Sequence, residues 1–235
     1  MKYRRYTVFL LILVFLMCIS VTAYDRSIIY KNVDNPEMKI ALSFDDGPHP
    51  THTCEIIEIL NKHGVKGTFF VVGKNVVNYP DVLRQIVDNG HEVANHSFSH
   101  TITKNSTKDA ILKEMRFTHD AILNVCETEV RFFRPPGGSI SADMVDAAKS
   151  MNYNIILWNI DTRDWAHTDK STIIKNVLSN IKSGSIILFH DYISGKTPTP
   201  QTIDELIPLL LEQGYSLVTL QELMESSSEK LMPVS

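Results

Sequence analysis

Ser43-Phe44-Asp45-Asp46-Gly47-Pro48-His49-Pro50 follows an apolar, strand-like run, Met38 to Leu42, and ends in residues that stop a strand. Two adjacent carboxylates therefore stand at the mouth of a strand. Side chains alternate between faces along a strand, so the two acids are expected to meet different environments. One reading gives Asp46 to a metal and Asp45 to proton transfer. The other makes Asp-Asp-Gly-Pro a solvated turn, because these residues dominate turns. The octapeptide alone favours the turn, and the rest of the chain decides between them.

On either side of this stretch the chain alternates between short apolar or β-branched runs and longer segments of helical spacing. The expected strands are Lys39–Ser43, Gly67–Val72, Glu92–Asn95, Phe132–Arg134, Asn154–Trp158, Ser185–Phe189 and Tyr215–Val218. The expected helices are Thr51–His63, Pro80–Asn89, Thr107–Val125, Ala142–Met151, Ser171–Ile181, Thr202–Gln213 and Leu220–Glu225. Gly64, Gly90, Gly184 and Gly214 stand where left-handed C-caps belong, and Thr107 and Ser141 where N-caps do. Seven strand–helix units in about 190 residues imply an α/β fold with a parallel sheet and right-handed crossovers. From the pattern alone the sheet is either open and doubly wound or closed into a barrel.

The composition is that of a globular chain. Of 235 residues, 43% are hydrophobic and 21% charged, and no basic run or basic–aromatic interleaving suggests nucleic acid. The N-terminus is a separate object. Lys2, Arg4 and Arg5 precede a charge-free, mostly apolar run from Thr7 to Ala23, so residues 1–23 read as an export signal or an uncleaved N-terminal membrane anchor. Met17 before Cys18 is too large for a lipoprotein site. Removal of this segment leaves 20 Lys and Arg against 27 acids, a net charge of about −7. Cys54 and Cys126 then remain, either as a pair in an exported chain or as two small hydrophobes. Residues 24–37 are a lead-in, 38–225 one domain and 226–235 a loose tail.

In parallel α/β folds, chemistry collects at the C-terminal ends of strands. The unusual polar clusters fall there in succession: Asp45-Asp46, His96-Ser97-Phe98-Ser99-His100, Arg134-Pro135-Pro136-Gly137-Gly138, Asp161-Thr162-Arg163-Asp164-Trp165 and His190-Asp191. This convergence turns the reading of Asp45-Asp46 away from a turn. His96 and His100, four apart, are expected on one side of a helical turn, where Asp46 completes a set suited to zinc or another divalent first-row metal such as Co²⁺, Ni²⁺ or Mn²⁺. Two His and one Asp leave coordination positions open, as catalytic sites do. Asp45 is then the candidate base and His190 the candidate acid, the latter otherwise a core histidine. Asp164 is expected to hold the His190 ring. Arg134 is expected to orient Asp45, unless it forms a surface salt bridge. Pro136 and Gly137 let a backbone N–H approach an oxyanion, and Trp165 with Leu188 makes a pocket the size of a methyl group.

These five motifs, in this order, resemble the polysaccharide deacetylases of carbohydrate esterase family 4, the NodB-homology domain. Gly-Thr-Phe-Phe-Val-Val-Gly at 67–73 and Gly-His-Glu-Val-Ala-Asn-His at 90–96 add to the likeness, which runs from about Lys39 to Leu223. The resemblance implies a single-domain, distorted (β/α)7 barrel and removal of N-acetyl groups from amino sugars of chitin-like polymers or peptidoglycan. It implies the same roles as the spacing: Asp45 as base, Asp46, His96 and His100 as metal ligands, Arg134 and Asp164 as orienting groups and His190 as acid. Gly137 departs from the family, where a bulkier side chain is frequent, so a wall of the sugar groove is missing there. The implied protein is a monomeric, secreted or membrane-anchored bacterial enzyme of the cell wall. Muramic acid or O-acetylated xylan as substrate, or a non-catalytic glycan-binding barrel, are the alternatives.

Overall fold

The computed structural model describes residues 25–227. The expected export segment and most of the expected tail lie outside the described residues. Strands β1 (Ile29–Tyr30), β2 (Lys39–Asp45), β3 (Thr68–Val71), β4 (Glu92–Asn95), β5 (Phe132–Phe133), β6 (Asn154–Ile156), β7 (Ile160–Asp161) and β8 (Ile186–His190) form a parallel sheet. Its order is β1-β6-β5-β4-β3-β2-β8-β7, and β9 (Ser216–Leu217) pairs with the start of β2. The helices are α1 (His52–Lys62), α2 (Gly73–Asn78), α3 (Pro80–Asp88), α4 (Lys108–Leu123), α5 (Ala142–Ser150), α6 (Lys170–Asn180), α7 (Thr199–Glu212) and α8 (Leu220–Glu225). The sheet curls into a half-barrel with β1 and β7 at its two edges, which is the distorted (β/α)7 barrel expected. No helix among the described residues is long and apolar enough to cross a membrane.

Strand periodicity divides the core in two. Along β2, Ile40, Leu42 and Phe44 join Phe69, Val71, Val93, Phe133, Ile187 and Phe189 under the helices. Ala41 faces the other way, with Phe70, Ala94, Phe132, Ile156 and Ile186, into the inside of the curl. Leu220, Leu223 and Met224 of α8 belong to this inner cluster. At the C-terminal ends of the strands the same inward parity continues into Asp45, His96, Arg134, Leu188 and His190, so the inside of the curl turns polar there.

Three local expectations change. Ile29–Tyr30 is a strand inside the lead-in, its backbone continuing the ladder of β6. Gly184 is not a helix cap: α6 ends at Asn180, and Gly184 serves a close approach in which a Cβ would meet the Val33 carbonyl oxygen at 1.9 Å. Cys54 and Cys126 are both free thiols. The N-caps hold, with Thr107 accepting from the Ala110 N–H and Ser141 from the Met144 N–H.

Candidate active site

The pair at 45–46 is split by backbone conformation. β2 ends at Asp45, and Asp46 has φ +81°, a left-handed value that is uncommon outside glycine. Simple alternation would aim Asp46 out of the barrel. The left-handed residue turns it back, so both acids line one cavity of about 350 Å³. Polar contacts fix this turn. Asn75 Nδ2 donates to the Asp46 carbonyl at 2.7 Å. The Gly47 N–H donates to Asp191 Oδ1 at 2.8 Å, and Thr53 Oγ1 donates to Asp191 Oδ2 at 2.6 Å. A Cβ on Gly47 would lie 2.0 Å from that carboxylate, so only glycine fits.

Asp45 is buried, and its Oδ1 accepts from Arg134 at 2.6 Å. Arg134 is itself fully buried. It donates to the carbonyls of Ile156 and Leu157 and lies over the Phe70 ring at 3.9 Å. A guanidinium held at every edge is no surface salt bridge; it fixes one oxygen of Asp45. The other, Oδ2, faces His96 Nε2 at 3.7 Å.

His96 and His100 converge, but not on a helix. Residues 97–100 form an irregular loop in which Ser97 and His100 have positive φ. Glu114 of α4 organises it, accepting from the N–H groups of Phe98 and Ser99. His96 Nδ1 lies 2.8 Å from the Arg134 carbonyl, which can only accept, so Nδ1 carries the proton and Nε2 offers a lone pair.

Asp46 Oδ1, His96 Nε2 and His100 Nε2 lie within 4.8 Å of one another. Asp46 Oδ1 is buried and makes no hydrogen bond, although the two Nε2 atoms stand 3.4 and 3.1 Å away. Burial works against the Asp46 charge, yet the two imidazoles hold its pKa well below the usual carboxylate range. The Asp46 side chain in turn raises the pKa of His100. One orphaned carboxylate oxygen and two imidazole nitrogens around a common point fit a divalent first-row cation.

His190 closes the opposite side. Its Nδ1 lies 2.8 Å from Asp164 Oδ1. Asp164 is fully buried and also accepts from the His190 and Trp165 N–H groups and from Thr199 Oγ1. Burial lowers the His190 pKa, but the Asp164 hydrogen bond and charge, with Asp45 and Asp46 beyond, outweigh it and lift the group to about 9. Gly137, Trp165 and Leu188 line the cavity with the two acids, the imidazoles of His96 and His100, and His190, whereas Pro136 does not. Pro136 instead opens the short turn, Pro136–Gly138, that sets Gly137 at φ +66°.

Several residues at the site have no role in the sequence reading. Trp158 and Asp161 line the cavity, and Trp158 packs where a Cβ on Gly138 would stand at 2.6 Å. Asp191 is read only as the end of His190-Asp191. Its available signal is strand parity, which points it away from the site and beneath the 46–48 turn.

The family model "Polysaccharide deacetylase" matches residues 32–156, more than half of the chain. A peptidoglycan-N-acetylglucosamine deacetylase of Bacillus cereus is 34% identical over 194 residues, covering 82% of this chain and 91% of that one. The peptidoglycan-N-acetylmuramic acid deacetylase PdaC of Bacillus subtilis is 36% identical over 201 residues, covering 85% of this chain and 42% of that one. The crystal structure of the Bc1960 peptidoglycan N-acetylglucosamine deacetylase superposes with a TM-score of 0.81 at 31% identity, over 86% of this chain and 95% of that one.

Proposed function

The chain belongs to the polysaccharide deacetylase family, and from that membership we propose that it is a metal-dependent hydrolase removing N-acetyl groups from the amino sugars of cell-wall glycan. The observation that carries the reading is the arrangement of two oriented proton-transfer groups, Asp45 and His190, around one cluster of cation-binding side chains.

A divalent cation held by Asp46, His96 and His100 would supply Lewis acidity, polarising the acetamide carbonyl and making a water acidic. The remaining work falls to the chain. Asp45 Oδ2 accepts the proton of the attacking water, while Arg134 keeps Oδ1 occupied and the carboxyl in place. The Gly137 N–H steadies the oxyanion of the tetrahedral intermediate. His190 enters the reaction protonated, because Asp164 holds it so, and delivers that proton to the departing amine. The C–N bond breaks, and acetate and a glucosamine-type sugar leave. The acetyl methyl packs between Trp165 and Leu188. A non-catalytic glycan binder has no use for the Arg134–Asp45 and Asp164–His190 pairs together.

The test is acetate release from N-acetylglucosamine oligomers and from peptidoglycan, with and without a chelator. Wild type acting no faster than Asp45→Asn on every polymer would sink the reading. Mass spectrometry of the digested wall then assigns the free amine to glucosamine or to muramic acid. The charge-free run Thr7 to Ala23 behind three cations supports work outside the cytoplasmic membrane, by an exported or anchored enzyme. An intact-mass measurement of the exported protein decides between cleavage and anchoring.

A further inference from the structure

Asn95 ends β4 one residue before His96, and strand parity turns the two side chains to opposite faces. His96 points into the curl. Asn95 shares the face of Val93, in the apolar layer under α4, and is fully buried there. An amide in such a layer costs stability unless its polar atoms are bonded. Both are. Oδ1 accepts from the Ser97 N–H at 2.9 Å, and Nδ2 donates to the Met115 carbonyl of α4 at 2.8 Å. Nδ2 also faces the Tyr153 hydroxyl at 3.5 Å. The Ser97 N–H can only donate and the Met115 carbonyl only accept, so the amide has one orientation. Its bond to Ser97 closes a side-chain turn, in which Ser97 takes a left-handed φ of +66°. Ser97 Oγ then accepts from the His100 N–H at 3.1 Å, and the Ser97 carbonyl accepts from the Gly73 N–H at 3.0 Å. Glu114 takes the N–H groups of Phe98 and Ser99, while the link between His96 and His100 runs through Asn95 and Ser97.

We infer that Asn95 is a positioning residue for the cation: tethered to α4 through Met115, it fixes Ser97 and, through Ser97, the place of His100 relative to His96. The inference rests on the reading that these two histidines and Asp46 hold a divalent metal. Asn95 touches neither cation nor substrate and acts only through the backbone of the loop. Metal–nitrogen and metal–oxygen bonds of about 2.0–2.2 Å leave little room for drift of a ligand. His96 has its own anchor, because its Nδ1 is bonded to the Arg134 carbonyl. His100 is half-exposed, and its ring meets the Asp46 carboxylate, itself a ligand of the same cation. Loss of Asn95 therefore falls on His100. The amide serves both ends of the tether, whereas an aliphatic side chain of the same size would fill the layer and serve neither.

The experiment compares Asn95→Leu, Asn95→Asp and Tyr153→Phe with wild type. Zinc affinity is measured by calorimetry, and the visible absorption of the cobalt form reports the ligand set; neither needs turnover. Asn95→Leu is expected to raise the Kd for zinc roughly 10–100-fold and to weaken the cobalt bands as His100 gives way to water. Asn95→Asp keeps an acceptor for the Ser97 N–H and loses the donor to Met115. It should recover most of the affinity and the wild-type cobalt spectrum, although it melts at a lower temperature. Tyr153→Phe disturbs the same buried layer, removing the hydroxyl that meets His119 Nδ1 at 2.7 Å, but leaves Ser97 alone. Its zinc affinity should stay within about twofold of wild type. If Asn95→Leu does not fold, Asn95→Ala carries the same comparison. Wild-type affinity and spectrum in Asn95→Leu overturn the inference. So does a loss in Tyr153→Phe equal to that in Asn95→Leu, which would make the effect one of packing, or an Asn95→Asp as weak as Asn95→Leu. Wild type that binds neither zinc nor cobalt defeats the metal reading itself, and this inference with it.

Discussion

Replacing either acid of the 45–46 pair by its amide keeps the shape and removes one charge. The consequences should differ because the two carboxyls have different partners. Asp46 Oδ1 has no hydrogen bond to lose and two imidazole nitrogens around it, so Asp46→Asn is expected to weaken zinc or cobalt binding by at least about tenfold in calorimetry. Asp45 is held by Arg134, and Asp45→Asn should retain the metal while acetate release falls by about 10²–10⁴-fold. Equal loss of metal by both variants would refute the division of roles. The proposed acid, His190, is open to the same kind of test. His190 has a pKa raised to about 9 from an ordinary 6.5. A raised pKa means that its contribution to stability is fully present below about 6.5 and is lost as pH rises through about 9. In the metal-free protein, NMR of the His190 ring should titrate near 9, and Asp164→Asn should bring the midpoint down by more than one unit. Bound metal repels a second positive charge, so the same midpoint should fall when zinc is added.

The loops between strands and helices carry what single residues cannot. Asp191 is buried and accepts from the Gly47 N–H and the Thr53 hydroxyl, tying the β2–α1 turn to the end of β8. Asp191→Ala strands both donors, at about 1–3 kcal/mol each, and frees the turn that aims Asp46. Calorimetry should then show metal affinity reduced roughly 10–100-fold, with Asp191→Asn restoring most of it because the amide can still accept from Gly47. Unchanged metal affinity in Asp191→Ala would reduce Asp191 to a stabilising group alone. This level is also where the sequence is least legible. Strand parity is written in the chain: Ile40, Leu42 and Phe44 against Ala41, Ser43 and Asp45 can be read off directly, and with them the inward aim of Arg134 and His190. The left-handed conformations at Asp46, Ser97 and His100 are not, since none is a glycine, the residue that marks such a backbone in a sequence. His96 and His100 accordingly meet through a loop anchored by Glu114, where four-residue spacing suggests a helix. Ile29–Tyr30 and Ile160–Asp161 are too short to show a period of two, and only their ladders with neighbouring strands define them.

A curled sheet that keeps its polar groups at one end must close the other. Here α8 does so, placing Leu220, Leu223 and Met224 in the cluster inside the curl with Tyr30, Phe70, Phe132 and Ile156. Its sequence predicts a short helix and nothing about that position, because six residues of apolar spacing fit any groove of suitable width. The first turn is tied down as well: the Thr219 side chain caps it, and the Leu220 N–H donates to Thr68 Oγ1 within β3. Leu223 is fully buried, so Leu223→Ala should cost about 2–5 kcal/mol through lost transfer energy and the cavity left behind. For a domain of this size that is a fall in Tm of roughly 4–20 °C by calorimetry. The catalytic end lies at the opposite ends of the strands and is held by its own hydrogen bonds. Zinc affinity and kcat at 25 °C, measured per folded molecule, should therefore stay within about twofold of wild type. A matching loss of metal affinity would mean that the plug and the site are one cooperative unit. Separate responses would mean that α8 sets how much protein is folded, while the loops at the far end set what the folded protein does.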